Sequence, residues 1–195
     1  MTTAELKSRL RPETELEARF LDDPQFVEGL RWGVPRYGHP EGSIWRHIIE
    51  VNRNVDRLPV TAEQRRKLRI ITFVHDTFKC IEDRGDPRDY SKHHSIHARH
   101  FLARYVDDEL LLNVVELHDE AYYCWRLSHL LGRVSECDRR LERLRDRVGD
   151  YWQLYYLFFK CDTATGDKNQ APLRWFERTM DGITVTPFGE AALRR

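Results

Sequence analysis

Apolar residues recur at three- and four-residue spacing through most of this 195-residue chain. Residues on one side of an α-helix have this spacing, whereas the buried side chains of a half-exposed strand alternate every second residue. Two stripes with helical spacing are Ile44, Ile48, Val51 and Val55, and then Leu68, Ile71, Val74 and Phe78. Strand-like alternation is nearly absent before residues 183–188. The sequence therefore predicts an all-α, single-domain helical bundle with a short extended C-terminal tail.

Helix caps and charge patterns predict the bounds and exposure of several helices. Thr61 begins a capping box ahead of the second stripe. Ser91 is expected to cap the next helix, which runs through Tyr105. Residues 135–148 interleave arginine with glutamate, which is typical of a solvated helix. Residues 151–161 are apolar on every side, so they predict a central, buried helix.

Charge and cysteine content bound the environment of the chain. The 32 lysines and arginines balance 32 aspartates and glutamates, so no overall field draws the chain to nucleic acid or a membrane. The apolar runs are far shorter than a bilayer span and the first residues are polar, which predicts a cytoplasmic protein. The cysteines form no CxxC pair and are expected to be reduced and structural: Cys80, Cys124, Cys137 and Cys161.

Three apolar helices are each predicted to turn metal-ligating side chains towards the core. His47 lies on the inner face of the first, His75–Asp76 ends the second, and Asp162 follows residues 151–161. A buried carboxylate is costly unless it is paired, and a cation supplies that pairing while neutral imidazoles complete its ligands. Two imidazoles and two carboxylates predict one divalent transition ion: manganese, iron, cobalt, nickel or zinc. The sequence does not choose among these metals.

A simpler interpretation competes with the metal site at each residue. A lone buried histidine more often makes an ordinary hydrogen bond in the core, and a His-Asp dipeptide arises by coincidence as easily as by function. The chain contains a second such pair, His118–Asp119. The metal site is favoured by the order of the residues: a His, then His-Asp, then a distant Asp, each on a different apolar helix.

That order resembles the H…HD…D signature of HD-domain phosphohydrolases. Three segments are similar to motifs in the HD domains attached to bacterial tRNA nucleotidyltransferases: HPEGSIWRH at 39–47, HDTFK at 75–79 and FFKCDTATG at 158–166. Within residues 90–98, His93 with Ala98 is the best match to the following element, and His94 is second. His118 falls where the family often has a further active-site histidine.

The resemblance covers residues 39–168 and implies an HD-type helical domain there. Residues 1–38 would form an N-terminal helical extension packed on this domain, and residues 169–195 a C-terminal helix and tail. Phe78 replaces the usual glycine before the lysine, and is expected to narrow or reshape the pocket beside the metal. His97 replaces a small residue.

The resemblance also separates the two His-Asp pairs. Only His75–Asp76 is interpreted as following a long apolar run with a lysine, Lys79, four residues after the histidine. His118–Asp119 is therefore interpreted as a decoy, with His118 kept as a phosphate or second-metal contact.

The function that the resemblance implies is that of a divalent-metal-dependent phosphohydrolase. It would be a phosphomonoesterase or phosphodiesterase that attacks a nucleotide-like phosphate ester with metal-activated water. The metal ligands would be His47, His75, Asp76 and Asp162. Asp76 and Lys79 would be catalytic, and the substrate would contact Lys79, His93 and His118.

A second hypothesis is a non-catalytic module in which the same ion is structural and the pocket senses a nucleotide or docks RNA. The expected partner in either case is a small phosphorylated molecule. RNA has weaker support, because acidic residues interrupt the arginines of residues 139–147 as on an ordinary charged helix face. A helical scaffold without metal is the third and least favoured hypothesis.

Overall fold

The computed structural model describes residues 1–190, and over that range the chain is all-helical. It contains the helices α1 (Thr3–Leu10), α2 (Glu15–Phe20), α3 (Pro24–Arg31), α4 (Ile44–Val55), α5 (Ala62–Val74), α6 (His94–Leu102), α7 (Glu109–Glu116), α8 (Glu120–His129), α9 (Val134–Val148), α10 (Trp152–Thr163) and α11 (Ala171–Thr179). Short 3-10 turns occupy Lys79–Ile81, Tyr90–Lys92 and Gly149–Tyr151. None of the helices formed by these 190 residues is long and apolar enough to cross a membrane. The predicted all-α class is confirmed.

Most of the predicted helix ends agree with the structure, but both ends of α6 differ. Thr61 forms its capping box with Gln64, as expected. Ser91 does not cap α6, because its amide and hydroxyl both donate to Asp89 Oδ1, at 3.0 and 2.6 Å, within a 3-10 turn. His93 is the N-cap instead, and its Nδ1 accepts from the amide of Ser95. The helix ends at Leu102, so Tyr105 lies beyond it.

The helix α10 lies at the centre of the bundle and packs against α4, α5, α9 and α11. Tyr155, Tyr156 and Phe158 are fully buried, as the all-round apolar pattern predicts. The Tyr155 hydroxyl accepts from the amide of Ala121 and donates to the carbonyl of Leu117, so burying it leaves no unpaired polar atom. This helix carries Asp162 in its last turn, where the site is built.

Residues 1–38 supply α1, α2 and α3, whose apolar side chains belong to the same core as the rest of the bundle. Leu6, Phe20 and Phe26 are fully buried. A buried ion pair adds to this packing, because Arg69 of α5 donates to both carboxylate oxygens of Glu17, at 2.9 and 2.8 Å. After α11, residues 181–190 contain no helix and run back along α10, where Gln153 exchanges two hydrogen bonds with the backbone of Thr184.

Close packing of α3 on the turn after α5 requires glycine at position 29. A Cβ atom placed there would lie 1.9 Å from the carbonyl oxygen of Thr77. We expect Gly29→Ala to lower the free energy of unfolding by about 1–3 kcal/mol, since the backbone must move, and the melting temperature by roughly 2–12 °C. Gly85→Ala is the matched control, because its Cβ would lie 3.3 Å from the end of the Asp83 side chain and 3.5 Å from the carbonyl oxygen of Pro87, so the backbone need not move. Equal melting temperatures for the two variants would contradict this packing.

Candidate metal centre

The structure brings the four predicted metal ligands together at the ends of α4, α5 and α10. His47 Nε2 lies 3.3 Å from His75 Nε2 and 2.9 Å from Asp162 Oδ1. His75 Nε2 in turn lies 3.6 Å from Asp76 Oδ2. Donors bonded at about 2.1 Å to one ion lie roughly 3.0 to 3.4 Å apart, and these three spacings lie within or about 0.2 Å outside that range. Buried groups of this kind, including His47, His75 and Asp76, could hold a metal ion.

Local hydrogen bonds aim the His75 ring at this point. The helix α5 ends at Val74, and His75 is its C-cap. The ring Nδ1 lies 3.0 Å from the carbonyl oxygen of Thr72, which fixes Nδ1 as the donor and leaves a lone pair on Nε2. An imidazole held in this way is oriented as a metal ligand requires.

The charges of the site follow from burial and from its lysines. Burial lowers the pKa of His75 to about 3, so this ring is neutral at physiological pH. Burial disfavours ionised Asp76 and Asp162. Lys79 and the neighbouring histidine rings together outweigh burial at Asp76, and Lys168 with the rings of His47 and His75 outweighs it at Asp162. The pKa of both carboxyls therefore lies well below the usual range. The two carboxylates are charged and the ring is neutral, as binding of a cation requires.

A second group of donors meets the other oxygen of Asp76. Asp76 Oδ1 lies 3.4 Å from His94 Nε2 and 3.5 Å from His118 Nε2, and these two nitrogens are 3.4 Å apart. Although it is buried, Asp76 Oδ1 makes no hydrogen bond of good geometry within residues 1–190. The three residues also form a group that could hold a metal ion. Asp76 therefore lies between two sets of imidazoles and presents one oxygen to each.

His94, and not the preferred His93, takes the place beside Asp76. Glu82 Oε1 lies 2.9 Å from His94 Nδ1, which leaves His94 Nε2 to face Asp76. His93 contacts the same carboxylate through Nε2 at 3.2 Å, and its Nδ1 lies 2.9 Å from the Ser95 hydroxyl. The predicted substrate-binding role of His93 has no support from this arrangement. The two histidines follow one another, and only the start of α6 determines which of them points inwards.

The pair His118–Asp119, of which the sequence analysis kept only His118 for the site, lies beside the same cavity as Asp76. The apolar helix α7 leads to it as α5 leads to His75, and His118 Nδ1 lies 2.8 Å from the carbonyl of Val115. Asp119 Oδ2 lies 3.5 Å from His118 Nε2. Burial opposes a charged ring, but Asp119 and Asp76 outweigh burial and raise the pKa of His118 to about 9. The apolar stripe of α7 was the signal that could have found this pair.

A cavity of about 300 Å³ opens beside both groups of donors. The polar residues lining it include His39, Asp76, Lys79, His118, Asp162 and Lys168. Lys79 Nζ lies 2.5 Å from Asp76 Oδ2, and Lys168 Nζ lies 2.8 Å from Asp162 Oδ1. Lys168 lies in the irregular segment before α11 and has no helical register, so the sequence pattern did not reveal it.

Phe78 does not line this cavity, so the expectation that it narrows the pocket is wrong. Its ring is buried in the core, with centroids 5.1 Å from Phe101 and 6.3 Å from Phe26. The turn after Asp76 directs this side chain away from the site. Cysteine is also absent from the metal-capable groups formed by residues 1–190, although Cys161 is buried next to Asp162.

Glu41 is a further residue of the site that the sequence reasoning left without a role. Its Oε1 lies 3.0 Å from His39 Nδ1 and 3.2 Å from His47 Nδ1. Burial acts to raise the pKa of Glu41, but its contacts with the two rings outweigh burial and lower it to about 2. A carboxylate on the far nitrogen of a ligating imidazole orients the ring and raises its basicity. Glu41 is therefore placed to position His47.

The site thus contains convergent imidazoles and carboxylates, two lysines and an adjoining cavity. Such a set can bind a divalent cation together with an anionic molecule. No family model, curated protein or solved structure matches the chain.

Proposed function

We propose that this chain is a divalent-metal-dependent phosphohydrolase that acts on a small, nucleotide-like phosphate ester. The observation that carries the proposal is the position of Asp76, which lies between two pairs of inward-facing histidines at the wall of a cavity with two lysines. A buried carboxylate in this position calls for cations, and the lysines add positive charge where an anionic substrate would enter. The sequence resemblance to HD-domain phosphohydrolases agrees with this arrangement.

Each set of donors has a defined part in the proposal. His47, His75, Asp76 and Asp162 would hold one ion, and His94 and His118 would hold a second ion that shares Asp76 with the first. A bound divalent ion polarises a phosphoryl oxygen and lowers the pKa of coordinated water. Glu41 and Glu82 keep the two outer histidines, His47 and His94, oriented towards the ions.

The lysines determine the kind of substrate that the cavity accepts. Protonated Lys79 and Lys168 cannot ligate a cation, but they can donate to phosphate oxygens. The cavity volume of about 300 Å³ is at the lower end of the range for ligand pockets. It suits one small phosphorylated molecule better than a folded nucleic acid.

Turnover separates this function from the non-catalytic alternative. The purified protein should be screened against phosphomonoesters and 2′,3′-cyclic phosphodiesters with added manganese, iron, cobalt, nickel or zinc. We expect release of phosphate or opening of the cyclic ester with at least one metal, and loss of that activity with a chelator. Tight binding of a nucleotide with no turnover under any metal would favour a sensing module instead.

Metal content is expected to distinguish the two ions. The wild-type protein should take up two ions per chain, because the two groups of donors meet on opposite oxygens of Asp76. His94→Ala should lower the stoichiometry to one, since His47, His75 and Asp162 are retained. Elemental analysis after desalting measures this, with His100→Ala as a control for an exposed histidine at the end of α6. An unchanged stoichiometry in His94→Ala would place the second ion elsewhere or remove it.

Metal binding is also expected to release protons near neutral pH. The pKa of His118 is raised to about 9, so at pH 7 the ring carries a proton that it must lose to ligate a cation. Metal affinity at this group should therefore rise about tenfold per pH unit as pH approaches 9, where the ring becomes neutral. Calorimetry in buffers with different ionisation enthalpies counts the released protons. A binding enthalpy independent of the buffer would show that His118 is neutral before the metal arrives.

A further inference from the structure

A second cleft, of about 880 Å³, lies between α1 and α4 and shares no lining residue with the cavity of the metal centre. Its lining includes Arg11 just after α1, Asn52 and Arg53 on α4 and Arg69 on α5. Asn52 lies about 140° around α4 from His47, because successive helical residues are separated by about 100°. One helix therefore serves the metal centre on one side and this cleft on another.

Two arginines in the cleft have no partner in the described chain. Within residues 1–190, the side chains of Arg11 and Arg53 are exposed and make neither an ion pair nor a hydrogen bond. Arg69 differs, because Glu17 neutralises it with two hydrogen bonds. Arg69 also donates to the carbonyl of Arg11 at 3.2 Å, and Arg11 has a left-handed backbone with φ of 49°. Left-handed backbone is rare outside glycine, asparagine and aspartate, and here it fixes an unpaired arginine at the edge of the cleft.

A buried polar atom in the same lining also lacks a partner. Asn52 is 7% exposed, and its Oδ1 accepts no hydrogen bond from residues 1–190. Buried amides in proteins are normally hydrogen-bonded, so this one calls for a partner from outside the chain. Rotation of the amide by 180° would present its N–H groups instead, which suits an oxygen-rich ligand.

We propose that this cleft is a binding site for a small molecule that carries a phosphate or polyphosphate group. Arg11 and Arg53 supply two guanidinium groups for phosphate oxygens, and the amide of Asn52 supplies a polar contact at the buried end. The volume lies within the range of ligand pockets. Glu5, Glu13 and Asp56 line the same cleft and interrupt its positive charge. An extended polyanion such as RNA would therefore find no continuous basic surface, whereas a short anion needs contact only with Arg11 and Arg53. The site does not depend on the phosphohydrolase proposal, because none of its residues belongs to the metal centre.

The test uses inorganic tripolyphosphate as the probe in isothermal titration calorimetry. Asp162→Asn provides a background in which the metal centre is weakened, so that binding at the cleft dominates. In this background we expect one site with a dissociation constant below 1 mM, weakened by added salt. Adding Arg11→Ala and Arg53→Ala together should weaken binding at least tenfold, since two charge-assisted contacts are lost. Adding Arg66→Ala, an exposed arginine on α5 outside the cleft, should leave it unchanged.

The same titrations in the wild-type background provide an independent measurement if Asp162→Asn fails to fold. Any binding of the probe at the metal centre then contributes equally to each variant. Binding at the cleft is measured by the difference in affinity between the Arg11→Ala/Arg53→Ala double variant and Arg66→Ala. Equal affinity in these two proteins would overturn the proposal, as would the absence of binding at 1 mM probe. A loss that is equally large in both arginine variants would show non-specific attraction to surface charge, and would also overturn it.

Discussion

Asp76→Ala is expected to remove the bound metal and to lower turnover by at least about a thousandfold, the scale of several kcal/mol of metal catalysis. The reason is the shared position of this carboxylate. Asp76 Oδ2 faces His75 at 3.6 Å and Oδ1 faces His118 at 3.5 Å, so one substitution removes an anionic ligand from both groups. Elemental analysis and initial rates on the best substrate of the screen measure the two losses together.

Asp107→Ala is the matched control, because Asp107 is an exposed aspartate in the loop before α7. It should retain both metal and activity. The circular dichroism spectrum of Asp76→Ala should remain helical, since its neighbours are held by α5 and α10. A folded Asp76→Ala protein with full metal content and full turnover would rule out the proposed centre. Loss of metal with unchanged turnover would instead show that the ion is not required for the reaction.

Lys79→Ala and Lys168→Ala are each expected to lower turnover about 30- to 1000-fold, while metal content stays unchanged. Each ammonium group lies against a ligand carboxylate at the cavity wall, Lys79 at 2.5 Å from Asp76 and Lys168 at 2.8 Å from Asp162. A protonated amine cannot bind the ion, but it can donate to a phosphate oxygen that approaches the same carboxylate. Loss of one such contact in a partly dry pocket reduces the stabilisation of the transition state, while all of the metal ligands remain.

Lys92→Ala is the control for the lysine variants, because Lys92 is exposed and its side chain pairs with the nearby Asp89 at 3.1 Å, away from the cavity. Its turnover should equal that of the wild type. Wild-type rates in Lys79→Ala and Lys168→Ala would restrict these lysines to balancing the charge of the carboxylates. A parallel loss of metal would mean that they position the ligands, and elemental analysis distinguishes this result from a phosphate contact.

The sequence predicts most of the helices because their periodicity is long and consistent. The all-round apolar segment at 151–161 became the buried helix α10, and the capping box at Thr61 formed as expected. The convergence of His47, His75 and Asp162 could be anticipated for the same reason, since each residue has a fixed register on an apolar helix. Helical register is a local property, and residue spacing alone is enough to reveal it.

Residues held by irregular segments could not be predicted in this way. Ser91 donates to Asp89 and so does not cap α6, which begins at His94. The side chain of His94, and not that of His93, therefore faces Asp76. Lys168 and Glu41 reach the site from loops whose path depends on packing over distant parts of the chain. The closeness of His118–Asp119 to His75–Asp76 is a further feature that could not be predicted, because residue spacing along the chain does not show that the two pairs are neighbours in space.

The ligands of the first ion come from positions 47, 75, 76 and 162, so the proposed centre closes a loop of more than one hundred residues. Contacts this distant in sequence form only after the intervening helices have condensed, because the entropy of loop closure opposes them earlier. During folding, the four ligands would therefore come together around the ion only when the bundle is nearly complete. The metal would then mainly slow unfolding, because it holds the ends of α4, α5 and α10 together. It would have little effect on the folding rate.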